Sequence, residues 1–187
     1  MGWFKSLLGT SPPPKPNLDQ LFTLPAAVIS LTASLGFAPT GTGSVAFRAP
    51  EGKAFSDIEQ EVLQLIGAGT KVTTQSDEFG FTWVVVSDDS VDAAGLVTAL
   101  HAVNSSLADG GFGTVLLCSL VALRDPQGRS LGLVYLYKRG TFYPFAPKTD
   151  KTRDTVLELQ VRDALGTDLP IEPELNRWFA VWGAPGL

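Results

Sequence analysis

Residues 113–147, GTVLLCSLVALRDPQGRSLGLVYLYKRGTFYPFAP, decide the fold. Thr114 to Leu123 and Ser130 to Tyr137 are two runs of apolar, β-branched and aromatic residues, separated by Arg124-Asp125-Pro126-Gln127-Gly128-Arg129. Proline pre-sets one turn dihedral and glycine tolerates a positive φ, so the stretch predicts a β-hairpin. A strand with one wet face alternates apolar and polar residues, and neither run does. Both strands are therefore expected to be covered on both faces or central in their sheet.

Upstream, Lys71 to Gln75 and Phe81 to Ser87 read as a second strand pair joined by Ser76-Asp77-Glu78-Phe79-Gly80, with Trp83-Val84-Val85-Val86 as strong strand chemistry. Between the pairs, a helix is predicted from about Val91 to Leu107. Asp92 near its start suits the helix dipole, and Leu96, Leu100, Val103 and Leu107 form its apolar stripe. Phe55 to Ile66 carries a similar stripe and stops at Gly67-Ala68-Gly69. Asn17 is placed to cap a short helix, Leu18 to Thr23, which Pro25 is expected to end. Ala26 to Leu35 is ambiguous: it alternates like a strand, while Leu24, Val28, Leu31 and Leu35 fit a helix face. Its β-branched content favours a strand, followed by a turn over Gly36 to Gly43 and a return strand, Ser44 to Arg48. Downstream, Arg153 to Leu165 predicts a helix with Gly166 past its end and a Glu158–Arg162 pair on its surface, although Thr155 to Val161 also alternates. The resulting order is α-ββ-α-ββ-α-ββ-α, an α+β fold with an antiparallel sheet built from β-hairpins.

The chain divides into residues 1–16, an apolar patch with a proline-rich arm, and residues 17–187, a single α+β domain ending in an aromatic tail. In the arm, Trp3, Phe4, Leu7 and Leu8 fall at helical spacing, and TSPPPKP (10–16) is an extended spacer. Such a patch either folds back on its own domain or meets a partner or a membrane surface. Met-Gly-x-x-x-Ser also fits the loose N-myristoylation pattern, which acts only where the transferase exists.

Composition narrows the function classes. The net charge of −5 among 187 residues argues against a general nucleic-acid footprint. One cysteine makes no internal disulfide, and one histidine makes no multi-histidine metal centre, so a reducing compartment and no cofactor are expected. No signal-peptide pattern and no apolar run of transmembrane length is read, which points to a cytoplasmic protein.

The chemistry-bearing residues favour packing over catalysis. Gly41-Thr42-Gly43-Ser44 and Gly111-Phe112-Gly113-Thr114 precede strands, whereas phosphate cradles follow a strand and open a helix. His101 lies beside the helix stripe with no nucleophile elbow to serve. Cys118 sits in an apolar strand, where burial raises a thiol pKa. Asp77-Glu78 and Asp88-Asp89 read as solvated turn acids. Lys138-Arg139 beside Phe142, Tyr143 and Phe145 either grips an anionic or extended partner or caps the hairpin while the rings close the core. The candidate partner-binding residues are Trp3, Phe4, Leu7, Leu8, Lys138, Arg139, Phe142, Tyr143, Trp178 and Trp182; no catalytic or metal residue is assigned.

Several strings are distinctive: PNLDQLFTLP (16–25), GSVAFR (43–48), LHAVNSSL (100–107), LLCSLV (116–121), LVYLYKRGTFYPFAP (133–147) and RWFAVWGAPGL (177–187). Together they make the chain resemble the PspA-associated PspAB family of actinobacteria and some archaea. The resemblance implies a non-enzymatic accessory of the phage-shock-protein A system, which guards the inner membrane under envelope stress. It implies as partner a PspA-like coiled-coil protein on the cytoplasmic face of that membrane, with the chain peripheral to it. It carries over no catalytic or ligand residue. Element order alone adds a loose analogy to small α+β chaperone-like domains. Two other readings remain: an enzyme with a cryptic hydrolase-type site using Ser119 or His101, and a direct membrane sensor acting through the arm.

Overall fold

The computed structural model describes residues 16–48, 70–88 and 92–187. The 1–15 patch and the 55–66 helix expectation lie outside the described residues. The described strands are β1 (Ala38–Phe47), β2 (Thr70–Ser76), β3 (Thr82–Asp88), β4 (Leu116–Arg124), β5 (Ser130–Leu136) and β6 (Thr141–Phe145). They form one antiparallel sheet in the order β2-β3-β1-β4-β5-β6. Among the described residues the α-helices are α1 (Leu24–Leu35), α2 (Ala93–Leu107) and α3 (Thr155–Leu165). The fold is α+β, as the sequence predicts.

The β4–β5 hairpin forms as expected, with Leu123 opposite Leu131 and Cys118 opposite Leu136. Asp125 closes its turn by accepting the Arg129 N–H at 2.7 Å and the Arg129 Nε at 2.6 Å. Both faces are covered, by different parts of the chain. Val121, Leu123, Leu131, Leu133 and Tyr135 join the cluster that contains the helix stripes. Cys118, Leu120, Ala122, Val134 and Leu136 join a second cluster, closed by Trp178 and Ala184 of the tail. Two covers explain why neither run needed alternation.

Residues 26–35 are helix, not strand. Leu24, Ala27, Val28 and Leu31 are buried while Ile29 is 70% exposed, so the burial period is helical. Pro25 does not end a helix; it stands in the first turn of α1, where its missing N–H costs nothing. The preceding turn, Leu18–Thr23, is a 3₁₀ helix, and Asn17 caps it without a side-chain bond. Gly36 stops α1 in the left-handed conformation, φ 76°. The glycines that followed predicted a turn, but β1 already begins at Ala38, and Gly41 marks an irregularity in its pairing with β4. The helical run Leu18–Leu35 is long and apolar enough by composition to cross a bilayer, contrary to the reading that no such stretch exists; here its apolar stripe packs against the sheet and the other helices.

The α2 expectation holds: Asp92 caps the N-terminus by accepting from Ala94 and Gly95, and Leu96, Leu100, Val103 and Leu107 are all buried. In α3, Asp154 is the cap, and the expected Glu158–Arg162 pair does not form. Glu158 is instead buried and takes Arg153 in two bonds of 2.9 Å, while Arg162 pairs with Asp163. Burial makes the planar Arg153 fork the better partner.

Candidate functional site

The helices lie on one face of the sheet, and the C-terminal tail crosses the other. The tail is anchored first at the β6 edge. The Phe142 N–H donates to Pro170 at 2.9 Å, and the Glu172 N–H donates back to Phe142 at 2.7 Å. The Glu172 side chain is buried and accepts from Arg139 Nε at 2.5 Å and Thr141 Oγ1 at 2.7 Å. Burial pushes that carboxyl up, but the bonds from Arg139, Thr141 and the Glu174 N–H outweigh it, and the net shift is downward. Next the Trp178 ring stacks on Tyr143 at 6.1 Å, and its Nε1 donates to the Glu172 carbonyl at 2.9 Å. Trp182 meets Phe145 edge-on at 5.0 Å.

This geometry places the sequence-predicted residues. Phe142, Tyr143 and Trp178 are buried in the protein's own core. Arg139 is held by Glu172, and Lys138 stands exposed at the β5–β6 turn. Trp182 is half-buried. Trp3, Phe4, Leu7 and Leu8 lie outside the described residues. Of the two readings of the 138–145 patch, the structure shows the packed one: the rings close the core.

The tail does not cover the whole face. Between its residues 179–182 and the β2–β3 turn lies an apolar cleft of about 560 Å³. Ala46, Cys118, Leu136 and Tyr143 supply its floor from the sheet, and Phe81, Trp83, Val181 and Trp182 its walls. Two rings stand at its lips with no core to fill: Phe79 is 50% exposed and Phe179 is 60% exposed. Asp77 fixes the first lip. Its carboxylate accepts from the Phe79 and Phe81 N–H groups and from Trp83 Nε1, each at 2.9 Å. Burial alone would raise its pKa, but these bonds prevail and lower it, so Asp77 is a fixed acceptor and not a proton donor. The second lip is fixed by the Tyr143 hydroxyl, which donates to the Phe179 carbonyl at 3.0 Å. At the mouth, the Arg48 guanidinium lies 5.0 Å from the Phe81 ring centre, and among the described residues no carboxylate pairs with it.

The cleft has the size and lining of a binding site but no reacting group. Burial pushes the Cys118 thiol up to about 12, leaving it protonated. His101 lies on the opposite face of the sheet, tilted against the Phe22 ring at 4.9 Å between ring centres and 3.6 Å from Asp19. Ser119 accepts from Asn104 at 2.8 Å under α2. His101 and Ser119 are not partners, and neither lines the cleft. Among the described residues, no three His, Cys, Asp or Glu side chains converge on a common point.

Sequence reasoning missed the lips. Phe79 falls in the segment that joins the strand pair, where a lone aromatic among Asp77, Glu78 and Gly80 is the available signal. Phe179 was hidden in an aromatic run whose members have different fates: Trp178 packs and Phe179 does not.

No curated protein and no solved structure matches the chain. The family model described as PspA associated protein B matches residues 1–186, including the β2–β3 turn and the tail that make the lips. The chain belongs to the PspA-associated protein B family.

Proposed function

We propose that the chain is a non-enzymatic accessory of PspA that grips its partner through the aromatic cleft. The carrying observation is the pair of exposed phenylalanines, each held by a polar bond to its backbone, at the mouth of an apolar cleft. A partly filled aromatic pocket with rigid lips accepts the apolar side chains of one face of a helix, the helix-in-groove mode. PspA, as a coiled-coil protein, offers such faces. Arg48, which pairs with no carboxylate among the described residues, adds a selection rule: a carboxylate next to the inserted apolar residues satisfies it, and a cation there is repelled. The protein then works in the cytoplasm, at the periphery of the inner membrane where PspA assembles. Chaperone-like shielding of apolar PspA surface during envelope stress follows from the same cleft.

The test is a titration of purified PspA into wild type and into Phe79→Asp and Phe179→Asp by calorimetry. Both positions are exposed, so folding should be unaffected to within about 0.5 kcal/mol. Each substitution should weaken binding by tenfold or more, as loss of an interface anchor does. Unchanged affinity in both variants would remove the cleft from the interaction.

A further inference from the structure

We propose that the cleft is also a ligand site for a fatty carboxylate, whose single hydrocarbon chain lies along the floor while its head pairs with Arg48. The ligand site does not rest on the PspA reading of the cleft; the mutual exclusion of ligand and PspA does.

The floor is a row of side chains that crosses four strands. Trp83 of β3 stands opposite Ala46 of β1, Ala46 opposite Cys118 of β4, and Cys118 opposite Leu136 of β5. All four line the cleft, and neighbouring strands lie about 4.8 Å apart, so the three steps make a trough about 14 Å long. Its two middle members are small, while an indole and a leucine stand at its ends. The hollow is therefore elongated across the strands, with apolar side chains beneath it. An extended hydrocarbon chain suits that shape, because it is thin and brings no polar group that burial would leave unsatisfied. The cleft's volume of about 560 Å³ also falls in the usual range for small-molecule sites.

Charge then selects the head. Two charged residues line the cleft, Arg48 and Asp77. The Asp77 carboxylate is already held by three N–H donors, two from backbone and one from Trp83. Cys118 is a protonated thiol and adds no charge to the floor. Arg48 lies at the β1–β3 end of the trough, exposed, 5.0 Å from the Phe81 ring centre, and pairs with no carboxylate among the described residues. An apolar trough with one cation at its end complements a chain with one anionic end. The planar guanidinium fork matches a carboxylate in particular, which it can bind through two parallel N–H bonds.

Calorimetry on the full-length chain tests the site, with octanoate, decanoate and decanol as probes, each below its micelle concentration. Each methylene laid on the floor should tighten binding about fourfold, so decanoate should bind roughly fifteenfold more tightly than octanoate. Decanoate should also bind about fivefold more tightly than decanol, the modest gain of an ion pair at an exposed mouth. In Arg48→Gln that preference should vanish while decanol binds as before, which shows that the variant keeps its fold. No gain from octanoate to decanoate overturns the trough. Equal affinity for decanoate and decanol in wild type, or a preference that survives in Arg48→Gln, overturns the pairing. For the exclusion, PspA is titrated into the chain with decanoate at ten times its Kd, and its apparent affinity should fall about tenfold. If PspA binds equally well with and without decanoate, or not at all, while decanoate shows the Arg48 dependence, the PspA reading of the cleft fails and the ligand site stands.

Discussion

Gly43 shows how narrowly the core is specified. A methyl group there would lie 2.9 Å from Leu100 Cδ1 and 3.2 Å from Leu96 Cδ1, so α2 packs directly on the β1 backbone. Both leucines are buried and have little room to retreat. Gly43→Ala is expected to cost about 1–3 kcal/mol in urea unfolding, the usual penalty for overpacking; no loss would mean that α2 is free to shift. Cys118 gives a second prediction at this scale. With its thiol pushed up to about 12, native protein at pH 8 should alkylate far more slowly than protein in urea. Equal rates would place the thiol in solvent. Reading these residues from sequence succeeded for Cys118, because an apolar strand implies burial. It failed for Gly43, because a close approach between distant elements leaves no local mark.

At the scale of elements, the tail is held by Glu172. Its folded pKa is lowered, so it contributes stability above the unfolded value near 4.3 and loses it as pH falls through the folded value. Glu172→Gln should therefore unfold more easily than wild type at pH 7, by on the order of 2 kcal/mol, and the gap should narrow as the pH falls below the unfolded value. A gap independent of pH would mean that the charge of Glu172 plays no part. What was legible among the elements follows the same physics. The β4–β5 hairpin, the β2–β3 pair, α2 and α3 carry strong local patterns that tertiary packing agrees with. Residues 26–35 carried two patterns, and β-branched propensity chose the wrong one; burial of one stripe against the sheet decided for helix. β6 passed as a patch of cations and aromatics because Tyr143 and Phe145 are buried only once the tail lies over them.

For the whole molecule, the sheet has two unequal covers. Helices pack on one face, while the tail crosses part of the other and leaves an aromatic cleft beside it. The cleft was not legible in the sequence. Its walls come from β1, the β2–β3 turn, β4–β6 and residues 179–182, and no periodicity links segments so far apart. The most direct test is amide hydrogen exchange on the chain alone and saturated with PspA. Binding through the cleft predicts new protection concentrated at residues 77–83 and 179–182, with the exposed surfaces of α1 and α3 unchanged. New protection on α1 and α3 with the cleft unaltered would contradict it.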